Sequence, residues 1–141
     1  MYKVRKLFSL PIGHRLSKHQ GLCKNIHGHN IKIEVQLKSG QLNENDMIID
    51  FHDLKIMVNK ILDDFDHATI LNEKDVETIN YVNSCGDGKL IVMTAGNDPT
   101  AERLSKFIYD ELQILCESAH IFLDFVRIWE NDTSMAEYNA E

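Results

Sequence analysis

The sequence predicts an α+β fold, and three observations carry that prediction. Ile31-Lys32-Ile33-Glu34-Val35-Gln36-Leu37 alternates apolar and polar residues without a break, the period of a strand with one buried face. Leu54, Met57, Val58, Ile61, Leu62 and Phe65, and later Leu104, Phe107, Ile108, Leu112 and Leu115, recur at the spacing of two amphipathic helices. Ile121 to Glu130 is apolar on both parities apart from Asp124, Arg127 and Glu130. Such a strand is covered on both faces or closed in a barrel. Two helices against a mainly antiparallel sheet is the arrangement these pieces allow. A chain of 141 residues fits a single domain, 1–141, with a core of its own.

Taken in order, residues 2–8 read as a first strand. Ser9 to Gln20 reads as a loop holding Pro11, Gly13 and His14. Arg15, Lys18, His19 and Lys24 make it the most basic part of an acidic chain, either a solvated loop or a landing site for phosphates. Residues 29–38 form the clearest strand. A polar loop follows from Ser39-Gly40, and Met47-Ile48-Ile49 reads as the end of a paired strand. Asp50 stands at an N-cap position before the first helix, which ends near Asp66-His67. There a carboxylate either orients the imidazole or simply shares a charged helix end with it. Residues 72–89 have no clean period. Ser84-Cys85-Gly86-Asp87-Gly88 is turn chemistry, and the segment reads as an exposed loop. Leu90 to Met93 is a short buried strand. Asp98 reads as a helix cap, with Pro99 at the first helical position and Cys116 in the core at the far end. Glu130 ends the last strand, either ion-paired or facing a ligand. The tail from Ser134 to Tyr138 packs against its neighbours. So few strands leave sheet edges that oligomerisation would close.

The chemistry concentrates in Cys23-Lys24-Asn25-Ile26-His27-Gly28-His29, with His14 nine residues upstream. Histidines at i and i+2 point to one side of a strand. Here they share parity with the apolar face of 31–37, where burying an unpaired imidazole is costly. Three histidines with an open position form a catalytic zinc pattern, whereas Cys23 as a fourth ligand would close it, and spacing alone leaves both open. The net charge of −7 argues against a nucleic-acid backbone as partner. No apolar run approaches the ~20 residues of a membrane span. Three cysteines, an odd number, with no secretory leader, point to free thiols in a reducing cytoplasm.

Several pieces together resemble the family of 6-pyruvoyltetrahydropterin and 6-carboxytetrahydropterin synthases. They are Phe8-Ser9 through His14-Arg15-Leu16, Cys23-x-x-x-His27-Gly28-His29-Asn30, Asp50-Phe51, Asp66-His67-x-x-Leu71-Asn72, Pro99-Thr100-Ala101-Glu102, and Trp129-Glu130 with Thr133-Ser134-x-Ala136-Glu137-Tyr138. They stand in family order and span nearly the whole chain. The resemblance implies the tunnelling fold: a four-stranded antiparallel sheet with two helices on one face, three copies closing a barrel, and two trimers stacking into a homohexamer. It implies that His14, His27 and His29 hold Zn²⁺, that Cys23 is the catalytic thiol and that Asp66 and His67 are the relay pair. It further implies that Glu130 anchors a pterin ring and that Thr100 lines the pocket. The implied activity is a zinc-dependent lyase acting on 7,8-dihydroneopterin triphosphate. The spacing around Cys23 favours the branch that makes 6-carboxy-5,6,7,8-tetrahydropterin on the way to queuosine. The alternatives are a 6-pyruvoyltetrahydropterin product, or a non-catalytic zinc- or pterin-binding module. Ser9 to Gly13, and the long segment from Glu73 to Lys89, depart from the family pattern.

Overall fold

The structure, a computed structural model, describes residues 1–86 and 88–141. Strands β1 (Tyr2–His14) and β2 (His27–Ser39) form its spine, antiparallel and in unbroken register from Tyr2 opposite Ser39 to His14 opposite His27. The expected loop from Ser9 is therefore strand as far as His14. Pro11 lacks an N–H but keeps its place opposite Asn30. The third strand of the sheet pairs with β1 only from Ile12 onward, so Pro11 lies where that side of β1 is still an edge.

The alternation in β2 does what its period dictates. Ile31, Ile33, Val35 and Leu37 are buried. They pack under α1 (Phe51–Phe65) and α3 (Ala101–Ser118), whose stripes Leu54, Val58, Leu62, Phe65 and Leu104, Ile108, Leu112, Cys116 complete the core. Burial of the Cys116 thiol pushes its pKa up to about 11. Asp50 caps α1, accepting from the His52 N–H at 2.7 Å. The last long strand, β5 (Phe122–Asn131), pairs antiparallel with β2. Its inward residues Leu123, Val126 and Ile128 join the core, a register shift opposite Gln36 and Leu37 absorbing the change of parity, while Phe125 is buried on the other face beneath Arg127.

Among the described residues the sheet has six strands rather than the four expected. Its order is β4-β3-β1-β2-β5-β6, with β3 (Ala68–Asn72), β4 (Leu90–Met93) and β6 (Ser134–Tyr138). β3 runs parallel to β1, and β4 parallel to β3, so the sheet is mixed. The antiparallel four are β1, β2, β5 and β6. The tail is the edge strand β6, where Tyr138 packs edge-on against Tyr109 with ring centroids 5.1 Å apart.

Three further expectations change. Met47-Ile48-Ile49 is not strand. It lies in an irregular loop whose turn is made by Asn43, its side-chain oxygen accepting from the N–H groups of Asn45 and Met47. Within 72–89 there is a third helix, α2 (Val76–Ser84), none of whose residues is buried. Its sequence therefore carries no strong apolar stripe. The expected turn at 84–88 includes Asp87, which lies outside the described residues; Gly86 beside it takes a left-handed φ of 104°. Finally, α3 is capped by Thr100, whose hydroxyl accepts from the Arg103 N–H, and not by Asp98. Pro99 precedes the cap.

Candidate metal centre and active site

The end of the β1–β2 ladder builds the site. His14 and His27 are directly opposed across the two strands, and His29 follows His27 on the same face. One ligand atom from each lies within 4.8 Å of the others. His14 is almost fully buried, at 1% exposure. Its Nδ1 donates to the Pro99 carbonyl at 2.8 Å, and His27 Nδ1 donates to the Asn25 carbonyl at 2.7 Å. A carbonyl only accepts, so each Nδ1 carries the proton and each Nε2 presents a lone pair. Those two Nε2 atoms are 2.9 Å apart. Two neutral imidazoles facing lone pair to lone pair repel, and a cation between them turns the repulsion into ligation. Tetrahedral Zn–N bonds would set the pair at ~3.3 Å, a small outward adjustment. Burial holds His14 below the ordinary imidazole pKa. The bond to Pro99 opposes that shift, and His27 and His29 reinforce it. The neutral, ligating form is thus favoured. The donor set fits a divalent cation, with the backbone carbonyls fixing tautomer and ring orientation.

Cys23 lies on a short 3₁₀ turn, Leu22–Lys24, half-buried, and it is not a member of the histidine cluster. Its turn is tied to the residues that follow His14. Leu16 N–H donates to the Cys23 carbonyl at 3.0 Å, and Arg15 Nε donates to the Lys24 carbonyl at 2.7 Å. Arg15 also pairs with Asp75 at 2.6 Å, so it is not the free phosphate ligand that the basic loop suggested. Asp98 is a second anchor. Its buried carboxylate accepts from Ser17 Oγ at 2.7 Å, Lys18 N–H at 2.9 Å and Asn72 Nδ2 at 2.9 Å. Burial works against its charge, but these three donors hold its pKa below the usual carboxylate range.

Glu130 lies at a register shift near the end of β5, where strict alternation fails, but its charge acts on His14, which puts it on the histidine side of the sheet. With Leu16, Thr100, Ala101, Glu102 and β6 residues Ser134 to Ala136 it lines a cavity of about 290 Å³. A second cavity of about 330 Å³ shares the walls Leu16 and Thr100. It is bordered by Lys18, His19 and Arg103. The structure therefore gathers His14, His27, His29, Glu130 and Thr100 at one end of the sheet. It places Asp66 and His67 elsewhere, where the chain leaves α1. His67 adopts a left-handed φ of 60°, which lets adjacent side chains meet, and its Nδ1 is 2.7 Å from Asp66 Oδ1. This pair is exposed and borders neither cavity.

The residues that sequence reasoning missed are Asp75, Thr78, Asn72 and Asp98 as anchors of the Cys23 loop, and Pro99 as the carbonyl partner of His14. Asp98 had a signal, since it is an acidic residue between the turn residues Asn97 and Pro99, and Asn72 a weaker one at the end of the apolar run Ile70-Leu71. Asp75 had none.

Comparison with known proteins gives a consistent pattern. The family model described as 6-pyruvoyl tetrahydropterin synthase matches residues 3–141. A 6-carboxy-5,6,7,8-tetrahydropterin synthase of Haemophilus influenzae is 36% identical over 98% of this chain and 99% of its own length. One of the same name from Aquifex aeolicus is 30% identical over 99% of each. The solved structure of Caenorhabditis elegans 6-pyruvoyl tetrahydropterin synthase superposes with a TM-score of 0.73. It covers 99% of this chain and 96% of that one at 22% identity, a likeness of fold.

Proposed function

The chain belongs to the 6-pyruvoyl tetrahydropterin synthase family and has its tunnelling fold, and from that premise we propose that it is a 6-carboxy-5,6,7,8-tetrahydropterin synthase. It would convert 7,8-dihydroneopterin triphosphate and water into 6-carboxy-5,6,7,8-tetrahydropterin, acetaldehyde and triphosphate, a step towards queuosine. The observation that carries this reading is the pair of converging imidazole lone pairs set beside a cavity ended by a carboxylate. The full-length relatives of that name support the product.

The site residues take these parts. His14, His27 and His29 would hold Zn²⁺, which a three-histidine set suits. Bound there, the ion supplies Lewis acidity towards substrate side-chain oxygens. Glu130 accepts the N–H groups of the pterin ring, and Thr100 walls the pocket. Cys23, free of the ligand set, takes a proton from a side-chain carbon next to the ring imine. His67, oriented by Asp66, is the second proton handler. The Lys18, His19 and Arg103 cavity adjoins the pterin pocket and suits the triphosphate. Asp66 and His67 are exposed in the single chain, which supports an assembly in which a second copy brings them to the site. The assembly we propose is a homohexamer of two trimers. The free thiols Cys23, Cys85 and Cys116 support a reducing cytoplasm. Among the described residues no helix is long and apolar enough to cross a membrane.

The test is an anaerobic incubation of zinc-loaded protein with 7,8-dihydroneopterin triphosphate, acetaldehyde being trapped and the pterins identified by mass. Acetaldehyde with a 6-carboxy product is expected. Triphosphate release with a 6-pyruvoyl product would move the chain to the other branch. No turnover by folded, zinc-loaded protein would leave a binding module. Cys23→Ala should keep zinc and lose turnover.

A further inference from the structure

Asp75 stands at the N-cap of α2, yet its carboxylate makes no capping bond. An aspartate there ordinarily accepts from the first-turn N–H groups. Instead Oδ2 accepts from Arg15 Nη1 at 2.6 Å, and Oδ1 accepts from Thr78 Oγ1 at 2.9 Å. The pair is shielded, with side-chain exposures of 21% for Arg15 and 7% for Asp75. Arg15 in turn spends its Nε on the Lys24 carbonyl, the residue after Cys23. A continuous chain of bonds thus runs from Thr78 through Asp75 and Arg15 to the turn that carries the thiol. Arg15 is also the residue directly after the buried ligand His14. One guanidinium therefore fixes the thiol's turn relative to the metal cluster. Its fork geometry suits two bonds in different directions at once. The other end of the loop is held by Asp98, through Ser17 and Lys18.

We propose that Asp75, acting through Arg15, is a positioning residue that sets Cys23 against the histidine centre, and that α2 is present to supply it. The proposal rests on the reading of Cys23 as the reacting thiol. It accounts for a helix with no buried residue standing beside the site and for its cap residue turning away from the helix. Proximity supplies much of the rate in such a centre, so a thiol allowed to wander loses turnover more than substrate affinity.

The experiment compares wild type with Asp75→Asn, which keeps size and removes charge, and with Thr78→Val, which removes the bond Thr78 donates to Asp75 and the longer one it accepts from Arg15 Nη1 at 3.4 Å. Glu77→Gln, an exposed first-turn neighbour on α2, is the control. Two readouts are taken on zinc-loaded protein: kcat and KM with the pterin triphosphate, and the site-specific rate of Cys23 alkylation by iodoacetamide, read by peptide mass. Cys85, exposed in the structure, normalises the alkylation. Expected for Asp75→Asn are retained zinc, KM within about twofold, kcat lowered tenfold or more, and Cys23 alkylation raised severalfold as its turn loosens. Thr78→Val should shift both readouts in the same direction by less, and it carries the test if Asp75→Asn does not fold. Unchanged Cys23 alkylation overturns the clamp, even if the wild-type protein has no pterin activity at all. Faster alkylation with wild-type kcat overturns the positioning role while leaving the proposed activity intact.

Discussion

Replacing His14 and His29 separately by alanine should give two different phenotypes in the metal-free protein and one in the metal-loaded protein. His14 is 1% exposed and its Nδ1 satisfies the Pro99 carbonyl at 2.8 Å. Its removal leaves a buried acceptor unpaired, at ~1–3 kcal/mol, and a cavity in addition. Relief of the His27 lone-pair repulsion offsets part of this, and ~2–4 kcal/mol of destabilisation remains. His29 is only partly buried and makes no comparable bond among the described residues, so its loss should cost the metal-free protein under ~1 kcal/mol. For 141 residues the unfolding entropy is roughly 0.3 kcal/mol/K. His14→Ala should therefore lower Tm by roughly 7–13 °C in chelator, and His29→Ala by 3 °C or less. Added zinc at a hundred times Kd contributes ~2.7 kcal/mol, a rise of roughly 9 °C in wild type. Both variants should lose most of that rise, and Cys23→Ala should keep it. The assay is thermal unfolding by circular dichroism, with and without zinc after chelation. A full zinc-dependent rise in His29→Ala would show that the ion sits elsewhere. Loss of the rise in Cys23→Ala would show a closed four-ligand site.

Three other outcomes follow from the same geometry. Glu130→Gln removes a charge-assisted acceptor worth ~1.5–3 kcal/mol, so KM for the pterin should rise roughly 10- to 150-fold with zinc retained; unchanged affinity would refute the anchor. Asp124 is held at a pKa of about 2 chiefly by Lys38, with Gln36 and Lys3 adding to the effect and burial opposing it. Its depressed pKa means stability present above pH ~4 and lost as pH falls through ~2. After allowance for the partly exposed Lys38, Asp124→Asn should cost ~1–2 kcal/mol at pH 7 in urea unfolding and only a small fraction of that as pH falls through ~2, and an equal cost at both would remove the ionic explanation. The Cys116 thiol, at about 11, should resist iodoacetamide at pH 8 in native protein while exposed Cys85 reacts, and equal rates would contradict the buried assignment.

How much of the site could be read from the sequence depended on where its information was stored. His27 and His29 were legible because a period of two assigns side chains to faces, and Ile31 to Leu37 declared which face was inside. The helices α1 and α3 were legible for the same reason at helical spacing. His14 does join His27 and His29, but from the end of a strand rather than from a loop. Pro11 and Gly13 are turn residues by composition, and only the pairing with β2 shows that a strand absorbs them. β3 carries a short apolar run that counts as a strand only once β1 and β4 flank it. α2 escaped because it buries nothing, and amphipathic patterning is a record of burial.

The segment 97–100 shows the deeper limit. Its composition announced a helix start, and α3 does begin there. Three successive residues, however, divide the work differently from the sequence reading. Asp98 leaves the helix to hold Ser17, Lys18 and Asn72, Pro99 lends its carbonyl to His14, and Thr100 alone caps α3. The side-chain roles of Asp98 and Thr100 were at least among the possibilities for those residue types. The Pro99 role was not, because every residue has a carbonyl and none advertises its use. The same holds for Asn25, whose carbonyl sets the tautomer of His27. The identity of the proposed ligands is thus written in side chains, whereas the protonation pattern that would let them bind a cation is written in the backbone path. Replacing Pro99 changes no donor or acceptor at the metal directly. A substitution there that shifted the helix start should nevertheless weaken zinc binding, because it would take away the acceptor that keeps the proton on His14 Nδ1.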